Sequence, residues 1–201
     1  MTLEQFKAAW ARAAEKTASR EKDYSALDAA AGGDGDHGEA ITAATRALAK
    51  AEGADFKSLL SNMVSRLETD VSGSTSSLYG SLFEGMADAV DAGKTELSAQ
   101  EIADLFAAGL EELGFATSAK VGDKTFMDAL IPAVEALSAH AAEGEEAMFA
   151  AAAAAAKAGS EATAQMRAKF GRAKNLGDRS IGPIDAGSAS NADIWACFLE
   201  S

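Results

Sequence analysis

An all-α fold is what this sequence predicts, and three observations carry the prediction. Apolar residues recur with the 3.6-residue period of a helix, and no stretch shows the alternation of a half-buried strand. The 48% apolar fraction is rich in alanine, while aromatic residues make up only 6%. Alanine is the strongest helix former and lets helices pack closely. Two prolines in 201 residues leave little to interrupt such segments.

The elements follow in order. A first helix, about residues 2–23, aligns Leu3, Phe6, Trp10, Ala13 and Thr17 on one face. A second, roughly 38–52, faces Ile41, Thr45 and Leu48 together, and a third starts from Asp55 as N-cap with Phe56, Leu59, Leu60, Met63, Val64 and Leu67 apolar. A fourth begins near Ser74 and carries Leu78, Leu82, Phe83, Met86 and Val90. Ser98-Ala99-Gln100-Glu101 has the form of a capping box and opens a fifth through Leu105, Phe106 and Leu110. A sixth starts near Asp123, with Met127, Leu130, Ile131 and Val134, and Pro132 bends it. The seventh is the alanine-rich run of about 144–169, and the eighth spans about 188–199. No linker parts these eight helices, so residues 1–201 read as one domain.

A formal net charge of −13 argues against nucleic acid or an anionic membrane surface as a partner. No segment has the continuous apolar length of a membrane span, and the charged N-terminus is unlike a signal peptide. The single cysteine, Cys197, fits a reducing compartment, and a cytoplasmic location is expected.

The loops are more informative than the helices. Segments 32–38, 72–77, 121–125 and 171–190 are rich in Gly, Ser and Asp, and three of them run directly into a helix N-terminus. Exposed amides and the macrodipole favour an anion there. In "GGDGDHG" (32–38), Asp34 and Asp36 flank a glycine shortly after Asp28. Three aspartates on so pliant a backbone can converge on a hard cation such as Mg²⁺. An EF-hand loop is excluded, because the twelfth position from Asp34 is Thr45 where a bidentate glutamate is needed. A helix-capping acidic turn would need no more than the same residues, so both readings stay open here. "SGSTSS" (72–77) offers hydroxyls and amides to phosphate oxygens, though it lacks the Gly-Lys-Ser/Thr of a Walker A loop. "VGDKT" (121–125) adds Lys124, either a phosphate contact or a solvated lysine, and the last loop adds Arg172 and Arg179. Neither a Ser-His-Asp grouping nor a reactive cysteine is evident; the elements converge on phosphate.

"GDGDHG" (33–38), "GDKTFMDAL" (122–130) and "GRAKNLGDRSIG" with "DAGSAS" (171–190), in this order, resemble the L subunit of dihydroxyacetone kinase. The same unit forms the C-terminal nucleotide-binding domain of single-chain dihydroxyacetone kinases. The resemblance implies a closed barrel of eight antiparallel helices with the nucleotide site at one end. It implies ADP or ATP with two Mg²⁺ ions, the metal ligands being Asp28, Asp34 and Asp36. Nucleotide contacts map to His37, Gly38, Glu39, Ala40, Ser74, Thr75, Gly122, Ile131, Arg172, Asp185, Ala186 and Gly187. No catalytic residue is implied in this chain, because a partner K subunit binds the ketone through its own histidine. In one branch of the family an M subunit carrying a phosphohistidine recharges bound ADP; in the other, ATP is exchanged. Whether two copies of the chain pair is left open.

The sequence departs from the family pattern in several places. The spacing from Asp28 to Asp34 is one residue longer, so Asp28 must reach across an extra glycine at Gly32-Gly33. "SGSTSS" is less glycine-rich than its counterpart, and Glu39 brings a carboxylate toward the phosphates. Pro183 and Ala186 stand where a histidine and a proline are expected. Two other functions remain in view: an L-type component of a kinase for another small ketose, and an ADP-loaded regulatory module that docks a transcription factor.

Overall fold

The computed structural model describes residues 1–199. Among them stand nine α-helices: α1 (Leu3–Ser19), α2 (Glu21–Ala30), α3 (His37–Ala49), α4 (Phe56–Asp70), α5 (Ser74–Asp88), α6 (Ala99–Ala116), α7 (Met127–Ala139), α8 (Glu145–Ala162) and α9 (Ala186–Ala196). The long first helix expected from the periodicity is two helices. Arg20 leaves helical geometry at φ −115°, ψ 11°, serving as C-cap of α1 and N-cap of α2. The sixth expected helix starts later, at Met127, because residues 123–126 belong to a braced loop. The seventh ends earlier, at Ala162. Part of the long final loop is wound into 3₁₀ turns over Ala173–Ser180.

Apart from α2, each helix packs on the next in the chain, α1 on α3 and so on to α9, and α9 returns to α1. Alternate connections gather at opposite ends. Leu3 N donates to Thr95 O at 2.9 Å, Phe56 N to Lys94 O at 2.8 Å and Leu97 N to Met1 O at 3.0 Å, which joins the N-terminus to two connections. The Met1 ammonium also pairs with Glu145 at the start of α8. The loops before α3, α5, α7 and α9 meet at the other end.

The core is graded between these ends. Phe198 has ring contacts with Phe6, Trp10, Phe106, Phe149 and Trp195, and the Phe149 ring is stacked on it at 5.3 Å. This aromatic centre is fed from the N-terminal turns of α1 and α8. Buried polar residues instead occupy the helix turns at the loop-rich end: Thr17, Asp128, Ser160, Ser188, Ser190 and Asn191. Burying hydroxyls requires internal partners, and Ser160 and Ser188 share a hydrogen bond at 3.1 Å.

Candidate functional site

A cavity of about 510 Å³ opens at the loop-rich end, where four helices begin. Its walls include Asp36 and His37 at the start of α3, Gly73 to Thr75 at α5, Thr125 and Phe126 before α7, and Asp185 to Gly187 at α9. Capping differs sharply between the two ends. At the far end, α1, α4 and α6 each have a complete capping box, from Thr2 with Gln5, Asp55 with Ser58, and Ser98 with Glu101. At the cavity, α3 and α5 have no side-chain cap; α9 is capped by Asp185 accepting from Ser188 N at 2.7 Å, and the first amide of α7, Met127 N, donates to Thr125 Oγ1 at 3.2 Å. Uncapped first-turn amides, with the positive end of the macrodipole, form a receptive site for an anion.

Beside these N-termini lies a carboxylate cluster. Asp28, Asp34 and Asp36 each offer an oxygen within 4.8 Å of the others. The extra glycine is absorbed at the end of α2 by a Schellman motif: Gly33 N donates to Asp28 O at 2.8 Å and Gly32 N to Ala29 O at 3.1 Å. Gly32 occupies the left-handed position, at φ +86°. The turn then folds back, with Gly35 at φ +81° and its amide donating to Asp28 Oδ2 at 2.7 Å. The spacing that put Asp28 at a distance therefore closes it onto Asp34 and Asp36. Partial desolvation and the facing charges of Asp34 and Asp28 raise the Asp36 carboxyl above its ordinary range, and Arg172 opposes them. Arg172 is ion-paired with Asp34. Convergent hard oxygens whose mutual repulsion a cation would relieve fit Mg²⁺.

Buried groups brace the rest of the rim. Asp128 is fully buried and accepts from Gly122 N at 2.6 Å and Thr125 N at 2.7 Å, folding the loop before α7 around its carboxylate. Lys124, read as either a phosphate contact or a solvated lysine, is not solvated: it lines the cavity, yet is 3% exposed and donates to Thr163 O at 2.6 Å and Pro183 O at 2.5 Å. Its backbone is left-handed at φ 61°. Burial lowers its ammonium pKa, opposed by Asp185 and Asp128. Asp185 is pushed up to about 7 by burial, against the hydrogen bond from Ser188. His37 is lowered by burial, with Asp28 opposing, and its Nε2 lies 2.9 Å from Ser190 Oγ. Asp123 is ion-paired to Lys169 at 2.7 Å, and its carboxyl is held low chiefly by that contact.

Of the residues singled out from sequence, Asp28, Asp34, Asp36, His37, Ala40, Ser74, Thr75, Lys124, Arg172, Asp185, Ala186 and Gly187 line the cavity. Gly38, Glu39, Gly122 and Ile131 are not among its lining residues. Gly38 is buried at the α2–α3 contact, where a Cβ would collide with Glu21 O. Glu39 points to solvent, Gly122 is bound to Asp128, and Ile131 packs against the core. Arg179 is exposed outside the cavity. Sequence reading missed an apolar wall of Leu78, Tyr79, Phe126 and Phe170. Three of these sit within or beside helical apolar patterns, where they read as ordinary core.

Fold and site together define a class: an all-helical domain with a cavity at one end, flanked by helix N-termini and a cluster of three carboxylates. Residues 31–200 match the DAK2 domain, and the chain belongs to that family. It is 34% identical over 190 residues to the PEP-dependent dihydroxyacetone kinase 2, ADP-binding subunit DhaL, of Listeria innocua, covering 90% of this chain and 87% of the relative. It is 36% identical over 190 residues to D-erythrulose kinase of Mycolicibacterium smegmatis, covering 89% of this chain but 32% of that protein. The crystal structure of the dihydroxyacetone kinase of C. freundii superposes with a TM-score of 0.75 at 24% identity, over 98% of this chain and 34% of that one. The same kinase has been solved in complex with AMP-PNP and Mg²⁺, and superposes with a TM-score of 0.74. The chain thus spans about a third of the D-erythrulose and C. freundii kinases.

Proposed function

We propose that this chain is the ADP-binding, phosphoryl-transferring subunit of a dihydroxyacetone kinase, working with a partner K subunit that holds the ketone. The observation that carries this reading is the convergence of the uncapped N-termini of α3 and α5 and three carboxylates on one cavity. The amides and hydroxyls at Ser74 and Thr75, with the amides that open α3, suit the phosphates, and Leu78, Tyr79, Phe126 and Phe170 suit the base. Asp28, Asp34 and Asp36 would hold two Mg²⁺ ions, which neutralise phosphate charge when bound. Gly122 then serves the nucleotide indirectly, by shaping the loop before α7 through its bond to Asp128. Phosphoryl transfer asks mainly for position and charge neutralisation, so the acceptor and its activation belong to the partner. Exposed Val121 and Ile181 lie on loops at the cavity end, where that partner must approach.

In this reading the chain is a single cytoplasmic domain. Eight helices close a barrel through the α9–α1 contact, and α2 lies outside the ring. An M subunit carrying a phosphohistidine is the proposed source of the phosphoryl group where ADP stays bound. A second reading, another small ketose as substrate, is favoured by the similarity to D-erythrulose kinase.

The test is calorimetry of Mg-ADP binding to the wild type and to Asp36→Asn. The expected result is tight binding that the substitution greatly weakens while the helical signal persists. Unchanged affinity in the variant overturns the metal assignment, and no ADP binding by the wild type overturns the nucleotide reading. Retention of ADP through dialysis, against exchange with ATP, separates the two donor branches.

A further inference from the structure

Asp28 is the one candidate ligand carried inside a helix, and that helix has little of its own to hold it. Helix α2 has ten residues, no side-chain cap and a single buried residue, Tyr24. Isolated helices of that length are unstable in water, so tertiary contacts must fix its position. It packs chiefly on α3 and α9.

The contact with α9 is a polar clamp. Tyr24, with no exposed surface, donates its hydroxyl to Asp193 Oδ2 at 2.5 Å. Arg20, the residue at the break between α1 and α2, is ion-paired with the same carboxylate, and its guanidinium lies 5.2 Å from the Tyr24 ring centre. One carboxylate of α9 therefore holds both the hinge of α2 and its second turn. Asp28 follows Tyr24 by four residues, one turn further on the same face. Three residues before Asp193, Ser190 contacts His37, the neighbour of Asp36. Helix α9 thereby references both sides of the carboxylate cluster, Asp28 through Tyr24 and Asp36 through His37.

We propose that Tyr24 and Asp193 are positioning residues that set Asp28 in register with Asp34 and Asp36 for metal binding. The proposal rests on the metal reading of that cluster. Without the clamp α2 is held by α3 alone and can tilt about Arg20, so that Asp28 moves away from the Gly35 amide that orients it. Partners that orient a ligand are worth about tenfold in metal affinity.

The test is titration with Mn²⁺, followed by the spin-resonance signal of the free ion, on the whole chain without nucleotide. Wild type is compared with Asp36→Asn, Tyr24→Phe, Asp193→Asn, the Tyr24→Phe/Asp193→Asn double variant and Met63→Ala, a core change in α4. The expected result is loss of binding in Asp36→Asn and about tenfold weaker binding in Tyr24→Phe. Asp193→Asn weakens it too, and the double variant falls short of the sum because both changes break one clamp. Met63→Ala, although less stable, binds as wild type. If Tyr24→Phe binds Mn²⁺ as wild type while Asp36→Asn does not, the clamp is overturned and the metal reading stands. If Asp36→Asn binds as wild type, both fall. If Met63→Ala weakens binding as much as Tyr24→Phe, the effect is general destabilisation and the positioning role is overturned.

Discussion

Gly33 lies directly against the side chain of Asp28, so close that a Cβ on the glycine would overlap the carboxylate. Its backbone is not in the left-handed region, so the constraint is space and not conformation. Gly33→Ala is therefore expected to fold while pushing Asp28 out of the cluster. Mg²⁺-dependent ADP affinity should fall by about tenfold, as for other disturbed ligand shells. Calorimetry with and without Mg²⁺ checks it, because a loss equal in both conditions would place the damage elsewhere.

The neighbouring glycine predicts the opposite pattern. Gly32 holds φ +86°, and a Cβ there would run into Leu176 from the 3₁₀ segment. Gly32→Ala brings left-handed strain of roughly 1–2 kcal/mol and a steric clash. A lowered unfolding midpoint is expected, measured by thermal denaturation, along with looser packing of the 173–180 segment. An unchanged midpoint would show that the Schellman end of α2 tolerates a side chain.

These glycines show what the sequence made legible. The helices and the capping boxes at Asp55 and Ser98 could be read because their signals are local. The carboxylate cluster was legible as composition, but its closure was not, since Gly32 reads equally as an inserted residue or as a helix C-cap. The break at Arg20 leaves no local mark: neither glycine nor proline stands there, and Asp193, which holds Arg20, comes 173 residues later. The burial of Lys124 was illegible for the same reason, as its acceptors at Thr163 and Pro183 are distant in the chain. Asp128 could have been found, because both its amide partners lie within six residues before it.

Asp128 carries the next prediction. Asp128→Ala leaves the amides of Gly122 and Thr125 without their acceptor inside a braced loop. Hydrogen bonds to a charged group contribute about 1.5–3 kcal/mol, so a loss of about 3 kcal/mol is expected in urea unfolding. ADP affinity should fall with it, because the loop forms one wall of the cavity. A stable variant with weak ADP binding would mean that the carboxylate serves the ligand and not the loop.

Lys124 combines left-handed strain with two buried hydrogen bonds. Lys124→Met removes the bonds and keeps the strain, whereas Lys124→Gly removes both. The lost bonds cost about 2 kcal/mol in either case. Relief at φ 61° offsets part of that in the glycine variant, against its greater unfolded-state entropy. The expected order of unfolding midpoints is wild type first, then Lys124→Gly at or above Lys124→Met. A glycine variant clearly below the methionine one would show that the backbone there is unstrained.

Asp185 makes stability depend on pH in a direction opposite to that of an ion-paired aspartate. Burial raises its carboxyl from 3.8 to about 7, with the charges of Asp128 and Asp28 adding to the rise and Lys124 opposing it. The folded chain thus keeps a proton that the unfolded chain releases. Its stabilising effect is full below the unfolded value, is lost as pH rises from about 4 to about 7, and changes no further above that. Asp185→Asn cannot titrate, yet its side-chain oxygen can still accept from Ser188 N and cap α9. Relative to the wild type, the variant should gain about 1.4 kcal/mol per pH unit across the window and then level off. Urea unfolding of both proteins through this range, without metal or nucleotide, measures the difference and cancels the titration of all other carboxylates. Parallel stability curves would mean that Asp185 is already ionised in the folded chain at acidic pH.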